Sequence, residues 1–250
     1  MSKIYLINVG ANTSHEARAR GPIFADGSFV YVSFPGSDCG QQYPPEACPF
    51  VRDGDTQLTH LDPDWPRLTY GDNCFNRRAR ALLNVVPGDW LLFWALLWKV
   101  EDRKRSVWDS TSRGWYLIGA LNVSRILSSG ESLTSLPDEF QERAKHNAHV
   151  QNEKAVEDRP MIRVFLGNID LSLRFDHAVD LGIGGEKSLL REVVRAADGR
   201  MLEWNSSPKW NSATRACRPI LDLNSEKDSG RILTLQSAIK AENSRFSGFV

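Results

Sequence analysis

Apolar residues recur along this chain in short blocks broken by polar, Gly- and Pro-rich stretches, and the blocks predict mainly strands. Residues 4–9 are β-rich and run into Gly10-Ala11-Asn12, where the composition turns abruptly polar, so a strand feeding a loop is expected. Residues 29–34, β-branched and aromatic and stopped by Pro35-Gly36, predict a second strand. The stretch 35–73 is rich in Pro, Gly and Asp, and a compact domain tolerates so long an irregular segment mainly where it covers or builds a site. Residues 76–84 suit a short helix with a basic face of Arg77, Arg78 and Arg80, broken by Pro87-Gly88-Asp89. Residues 90–98 are apolar at every position, so periodicity alone does not separate strand from buried helix. The turn before them and the β-like run 115–123 after them decide for strand, with 101–114 closing a wide hairpin. Helices are expected over 138–146, acidic at its start and basic at its end as the helix dipole favours, and over 186–197 and 231–240; 161–165 reads as a strand.

Composition fits this picture. With 250 residues, 41% hydrophobic and 25% charged, the chain can bury a sizeable core, and its size does not force two domains. Lys plus Arg and Asp plus Glu both number 31, so any anion-binding surface must be a local patch. The first residues lack a secretory core and cleavage site, and the apolar run 90–100 is far shorter than the roughly 20 residues of a membrane-spanning helix. A cytoplasmic protein without membrane contact is expected. Cys39, Cys48, Cys74 and Cys217 show no CxxC pair or zinc-module spacing, which favours reduced thiols; a Cys39–Cys48 bridge is the alternative.

The order of basic helix, Pro87-Gly88-Asp89, aromatic strand, polar loop and Tyr116-Leu117-Ile118-Gly119-Ala120-Leu121-Asn122-Val123 resembles the PUA-like superfamily in its EVE, ASCH and YTH branches. In those folds a "GD" turn feeds a hydrophobic strand and an "IxG" strand returns beside it. The start of the chain, Tyr5-Leu6-Ile7-Asn8-Val9-Gly10-Ala11-Asn12-Thr13-Ser14-His15 with Gly21-Pro22-Ile23-Phe24-Ala25-Asp26-Gly27-Ser28-Phe29, more narrowly resembles the third group of prokaryotic nucleotide-modification-associated domains, whose "NxH" element is matched by Asn147-Ala148-His149. The resemblance implies one α+β domain over residues 1–250: a PUA-like curved sheet or partly open barrel over about residues 1–130, with helical and strand additions over 131–250. It also implies recognition of modified nucleobases, or association with the enzymes that make them.

Three groups of residues carry candidate chemistry. Trp90, Trp94, Trp98, Trp108, Trp115 and Tyr116 crowd one hairpin, and a base stacks on such rings with about 1–3 kcal/mol each. As a strand, 90–98 puts Trp90, Trp94 and Trp98 on one face, where they could line a cage or serve as core, and Trp94, Trp98 and Trp115 are the candidates to meet a nucleotide. In the loop after the first strand, which also carries His15, Asn8 and Asn12 can read a base edge or a sugar and Arg18 and Ser14 can hold phosphate, Ser14 also reading a polar edge; local turn capping explains the Asn and Ser equally. The resemblance adds Phe24, Asn147 and His149. The His146–His149 spacing is not that of HExxH, so no metal and no cofactor is expected. Gly182-Ile183-Gly184-Gly185-Glu186-Lys187-Ser188 fails as a phosphate loop because Glu186 stands where Gly must precede the Lys. Asp26, Asp62, Asp64 and Asp72 could gather around a metal, but loop aspartates are usually turn formers.

The expected function is a module binding modified nucleotides or nucleic acid, DNA ahead of RNA, in a prokaryotic modification or defence setting. The alternative is a nucleotide-directed enzyme using His146 or His149 with Asp26 or Asp72. The oligomeric state is not legible.

Overall fold

The computed structural model describes residues 2–36, 41–52, 58–101, 103, 106–151, 161–182, 189–193 and 217–249. Its strands are β1 (Lys3–Asn8), β2 (Pro22–Phe24), β3 (Gln41–Gln42), β4 (Leu58–Thr59), β5 (Thr69–Asn73), β6 (Trp90–Val100), β7 (Arg113–Ser128), β8 (Ile162–Gly167), β9 (Leu173–Asp180) and β10 (Arg218–Asp222). The helices are α1 (Asp138–Ala144), α2 (Ala148–Gln151), α3 (Leu189–Val193) and α4 (Ser229–Glu242).

β6 is the axis of a mixed eight-stranded sheet. β1 runs parallel along one edge, Ile4 opposite Trp90 through Asn8 opposite Trp94. β7 runs antiparallel along the other, Trp90 opposite Asn122 through Trp98 opposite Arg113. The order is β10-β1-β6-β7-β8-β5, with β2 also on β6 and β9 also on β7; the sheet is not closed into a barrel. The architecture is α+β.

β6 shows no alternation of polar and apolar residues because both faces are covered, and only Lys99 is exposed along it. Successive side chains point to opposite faces. On one, Trp90 packs on Phe246 and Phe249, with ring centroids 6.2 and 5.1 Å away, and Trp94 on Trp115 at 4.5 Å. α4 contributes Ile232, Leu235 and Ile239 to this core. On the other face Phe93 meets Trp65 at 5.3 Å and Tyr70 at 5.2 Å. Trp65 reaches the sheet through Gly119, where a Cβ would lie 2.2 Å from the indole Cη2. Any side chain on Gly119 would push the loop carrying residues 62–65 off β7.

The Pro87-Gly88-Asp89 turn is structural. Gly88 takes φ +94°, a region that favours glycine. The buried Asp89 carboxylate accepts from Lys3 N at 2.7 Å and Val86 N at 2.9 Å, joining the start of β6 to β1.

Several expectations need correction. Residues 29–34 form no strand ladder: Val30 N donates to Pro22 O while Val32 O accepts from Ala11 N, so the segment's bonds go to different neighbours, and the short strand it runs beside is β2. The helix expected over 76–84 is a 3₁₀ turn at Arg80–Asn84. β9 and β10 were not anticipated, since neither carries the continuous apolar run that marks β6. Helix α3 falls within the expected 186–197, the rest of which lies outside the described residues, as do Cys39 and 183–188. Among the described residues, no helix is long and apolar enough to cross a membrane.

Candidate functional site

The loop after β1, Phe34 with His60 and Asp62, β5 and the start of α2 enclose a cleft of about 440 Å³. Three features of the chain build it. At Gly10 (φ +77°) the path turns under Tyr31, whose ring carbon would stand 3.0 Å from an added Cβ. Across the cleft, residues 34–36 run beside residues 58–60, with Ser33 Oγ and Thr59 Oγ1 2.6 Å apart and His60 N donating to Phe34 O. This register puts Phe34 and His60 side by side, and three flat rings stack along one wall: His15 on Phe34 at 5.7 Å and Phe34 on His60 at 4.9 Å.

The third feature is the packing of α1 and α2 on the ends of β5 and β8. Arg143 in the last turn of α1 donates to three carbonyls, Arg67 O (2.7 Å), Leu68 O (3.0 Å) and Gly167 O (2.6 Å), and so holds the entry to β5 against β8. Beyond it Asn147, fully buried, donates to Thr69 Oγ1 at 3.1 Å and Asp62 Oδ1 at 3.3 Å, while its Oδ1 accepts from His149 N at 3.0 Å. Gln41 adds a brace, donating to His146 O and accepting from Leu61 N.

At the floor of the cleft these supports bring together His60, Asp62 and His149. The Nε2 atoms of the two imidazoles are 3.1 Å apart; Asp62 Oδ2 lies 3.6 Å from His60 Nε2 and 3.3 Å from His149 Nε2. Asp62 is 3% exposed, and both its oxygens accept from Gly71 N, at 3.0 and 2.9 Å. Burial alone would raise its pKa, but hydrogen bonds from His149 and His60 and their charge outweigh it, and the carboxyl sits below its ordinary value. Asp62 is therefore anionic at neutral pH. Gly71 also makes room for the ring: a Cβ there would lie 2.5 Å from His149 Cδ2.

A second charged group stands beside the first. Asp72 accepts from Tyr70 Oη and from Arg78 Nη2, both at 2.6 Å, and Arg78 Nη1 reaches Asn8 O at 3.4 Å. Burial works against the Arg78 charge, but Asp72 together with Tyr70 and Cys217 outweighs it, and its pKa stays above the ordinary value. Asn8 Nδ2 is buried at the cleft and, among the described residues, has no hydrogen-bond partner.

Of the residues singled out from the sequence, Asn8, Asn12, His15, Asp62, Asp72, Arg78 and His149 line this cleft. Asn12 also accepts from Ser14 N and Oγ, a local turn that keeps Ser14 at the surface; Arg18 is exposed and outside the lining. Asn147 lies behind the wall as a support. Trp94, Trp98 and Trp115 are 1%, 1% and 5% exposed and belong to the core, so no tryptophan cage exists on the hairpin. Trp94 and Trp115 pack on each other, and the Arg20 guanidinium lies over the Trp98 ring at 5.7 Å. Phe24 packs on Phe50 under Arg103, away from the cleft. Asp26 is exposed and pairs with Arg103, Asp64 pairs with Arg67, and His146 does not line the cleft. His60 and Phe34 were missed. The signal was present, since His60 and Asp62 stand two apart inside the long irregular stretch that a site would explain.

The family model described as nucleotide modification associated domain 3 matches residues 3–213. No curated protein and no solved structure matches the chain.

Proposed function

The chain belongs to the nucleotide modification associated domain 3 family, and from that premise we propose that its cleft takes a nucleotide and acts on it chemically. One observation carries this reading: two imidazoles and an anionic carboxylate converge on a single point of the cleft floor. Groups that can accept, donate or coordinate are what a reaction needs, whereas a reader of bases needs mainly stacking and edge contacts. The walls suit a nucleotide. The ring stack offers a flat surface, the amides of Asn8 and Asn12 suit a base edge or sugar, and Arg78 brings positive charge close by. A cleft of this volume falls in the range of small-molecule sites.

The second reading, a module that binds a modified nucleotide without turnover, is favoured by the unpaired Asn8 amide, which a base carbonyl would satisfy. A prokaryotic modification or defence setting, with DNA ahead of RNA, belongs to both readings. The Gly88-Asp89 turn feeding β6 supports the PUA-like reading of the sheet.

Mononucleotides and short oligonucleotides with modified and unmodified bases, incubated with the full chain and resolved by mass, provide the test. The enzyme reading expects a mass change with the wild type that His60→Ala and Asp62→Asn abolish. Saturable binding without any product selects the binding module, and absence of both ends either reading.

A further inference from the structure

We infer that His60 Nε2, His149 Nε2 and Asp62 Oδ2 are three ligands of one divalent transition-metal ion of the zinc type, with a fourth position open to the cleft. The inference deepens the enzymatic reading and rests on it for the use of the ion, though not for its presence.

Geometry is the first support. Two bonds of about 2.0–2.1 Å meeting at the tetrahedral angle hold their donor atoms about 3.3–3.4 Å apart. The three edges of the triangle, 3.1, 3.3 and 3.6 Å, bracket that value. The donor set of two imidazoles and one carboxylate is that of catalytic zinc sites, which keep one position for water or substrate. Here the histidine side chains are 19% and 15% exposed toward the cleft while the carboxylate is buried. One face of the triangle is thus reachable and the other closed.

Proton placement is the second support. With both imidazoles neutral, a hydrogen on one Nε2 can satisfy only one contact of the triangle, and the other Nε2, if it carries no hydrogen, turns a lone pair toward the carboxylate. With both Nε2 protonated, two N–H groups confront each other across 3.1 Å. A cation at the centre meets all three lone pairs at once. The surrounding contacts are those that orient ligands: Asn147 Nδ2 and Gly71 N hold the carboxylate, and Asn147 Oδ1 fixes the backbone of His149.

The test uses the full chain stripped with a chelator and no nucleotide. Zn2+ titrated against a chromophoric competitor should load to one ion per chain. His60→Ala should remove that site, Asn147→Ala should weaken it about 10–100-fold, and Cys48→Ser, which alters an exposed thiol, should leave it unchanged. Co2+ on the wild type gives a readout that needs no variant: intense visible ligand-field absorption for four-coordination. Zinc that binds His60→Ala as tightly as wild type, zinc lost in Cys48→Ser, or Co2+ giving only the weak six-coordinate spectrum or none each overturns the assignment. Metal uptake without nucleotide turnover would sink the enzymatic reading alone, and turnover in the metal-free chain would sink the use of the ion in the reaction, whereas failure of the titration would sink the site itself.

Discussion

Gly71→Ala isolates the geometry of the cleft floor from its chemistry. The substitution keeps the backbone N–H that Asp62 accepts, and φ at Gly71 lies outside the positive region, so the backbone admits alanine. What it adds is one methyl group, 2.5 Å from His149 Cδ2, 3.0 Å from its Cγ and 2.8 Å from Asn147 Oδ1. Ordinary contact needs about 3.5 Å or more, so the imidazole must withdraw by about 1 Å. Asn147 Oδ1 must also give by a few tenths of an ångström, but the amide is buried and bonded on three sides, so the larger displacement falls on the ring. A shift of that size exceeds the tolerance of roughly 0.5 Å within which a site works, and it takes Nε2 out of reach of the point it shares with His60 and Asp62. We expect overpacking to cost about 1–3 kcal/mol in urea denaturation, and Zn2+ affinity to fall about 100-fold. The ring shift should also appear in the imidazole nitrogen resonances of His149. Wild-type zinc affinity together with unchanged His149 resonances in a folded Gly71→Ala protein would refute the reasoning.

Other consequences can be checked separately. Trp94→Ala should cost about 3–5 kcal/mol in denaturation while leaving zinc affinity of the folded fraction intact, because Trp94 is core; loss of ligand binding at unchanged stability would contradict that. Arg143→Ala removes three hydrogen bonds where β5 begins and β8 ends, Leu68 O keeping a second bond, from Gly167 N, and should lower stability by about 2 kcal/mol or more, with the loss of protection in hydrogen exchange greatest around residues 67–71. Burial, with Asp72 adding to it, pushes the Cys74 and Cys217 thiols from 9.0 up to about 12. Their folded pKa values exceed the unfolded ones, so their contribution is complete below pH 9 and is lost as pH rises toward 12, at about 1.4 kcal/mol per pH unit for each. Urea midpoints should fall across that interval, and by less in Cys217→Ala.

The long hairpin was legible because β6 combines a run too apolar for any exposed position with a turn that starts it, and α4 and α1 were legible from their patterns. The first strand and the importance of the loop after it were also readable, since a strand that ends in Gly10-Ala11-Asn12 must hand over to polar backbone contacts. What the sequence concealed was which side of an aromatic strand meets solvent. Alternation placed Trp90, Trp94 and Trp98 together, but a shared face says nothing about what covers it, and Phe246 and Phe249 lie some 150 residues further along. The same limit hid the metal-type cluster. His60 and His149 are 89 residues apart, so no local spacing relates them, and the aspartate that joins them looks like any other turn former.

The imidazole of His149 rides on a helix of four residues, far below the length at which a helix sustains itself in water. Its position is therefore borrowed from Asn147 and from the strand beneath, not owned by its own segment. Order at residues 147–151 and occupancy of the cleft floor should then rise and fall as one event. Added zinc should slow amide exchange at Val150 and Gln151 while leaving the exchange of the central hairpin untouched.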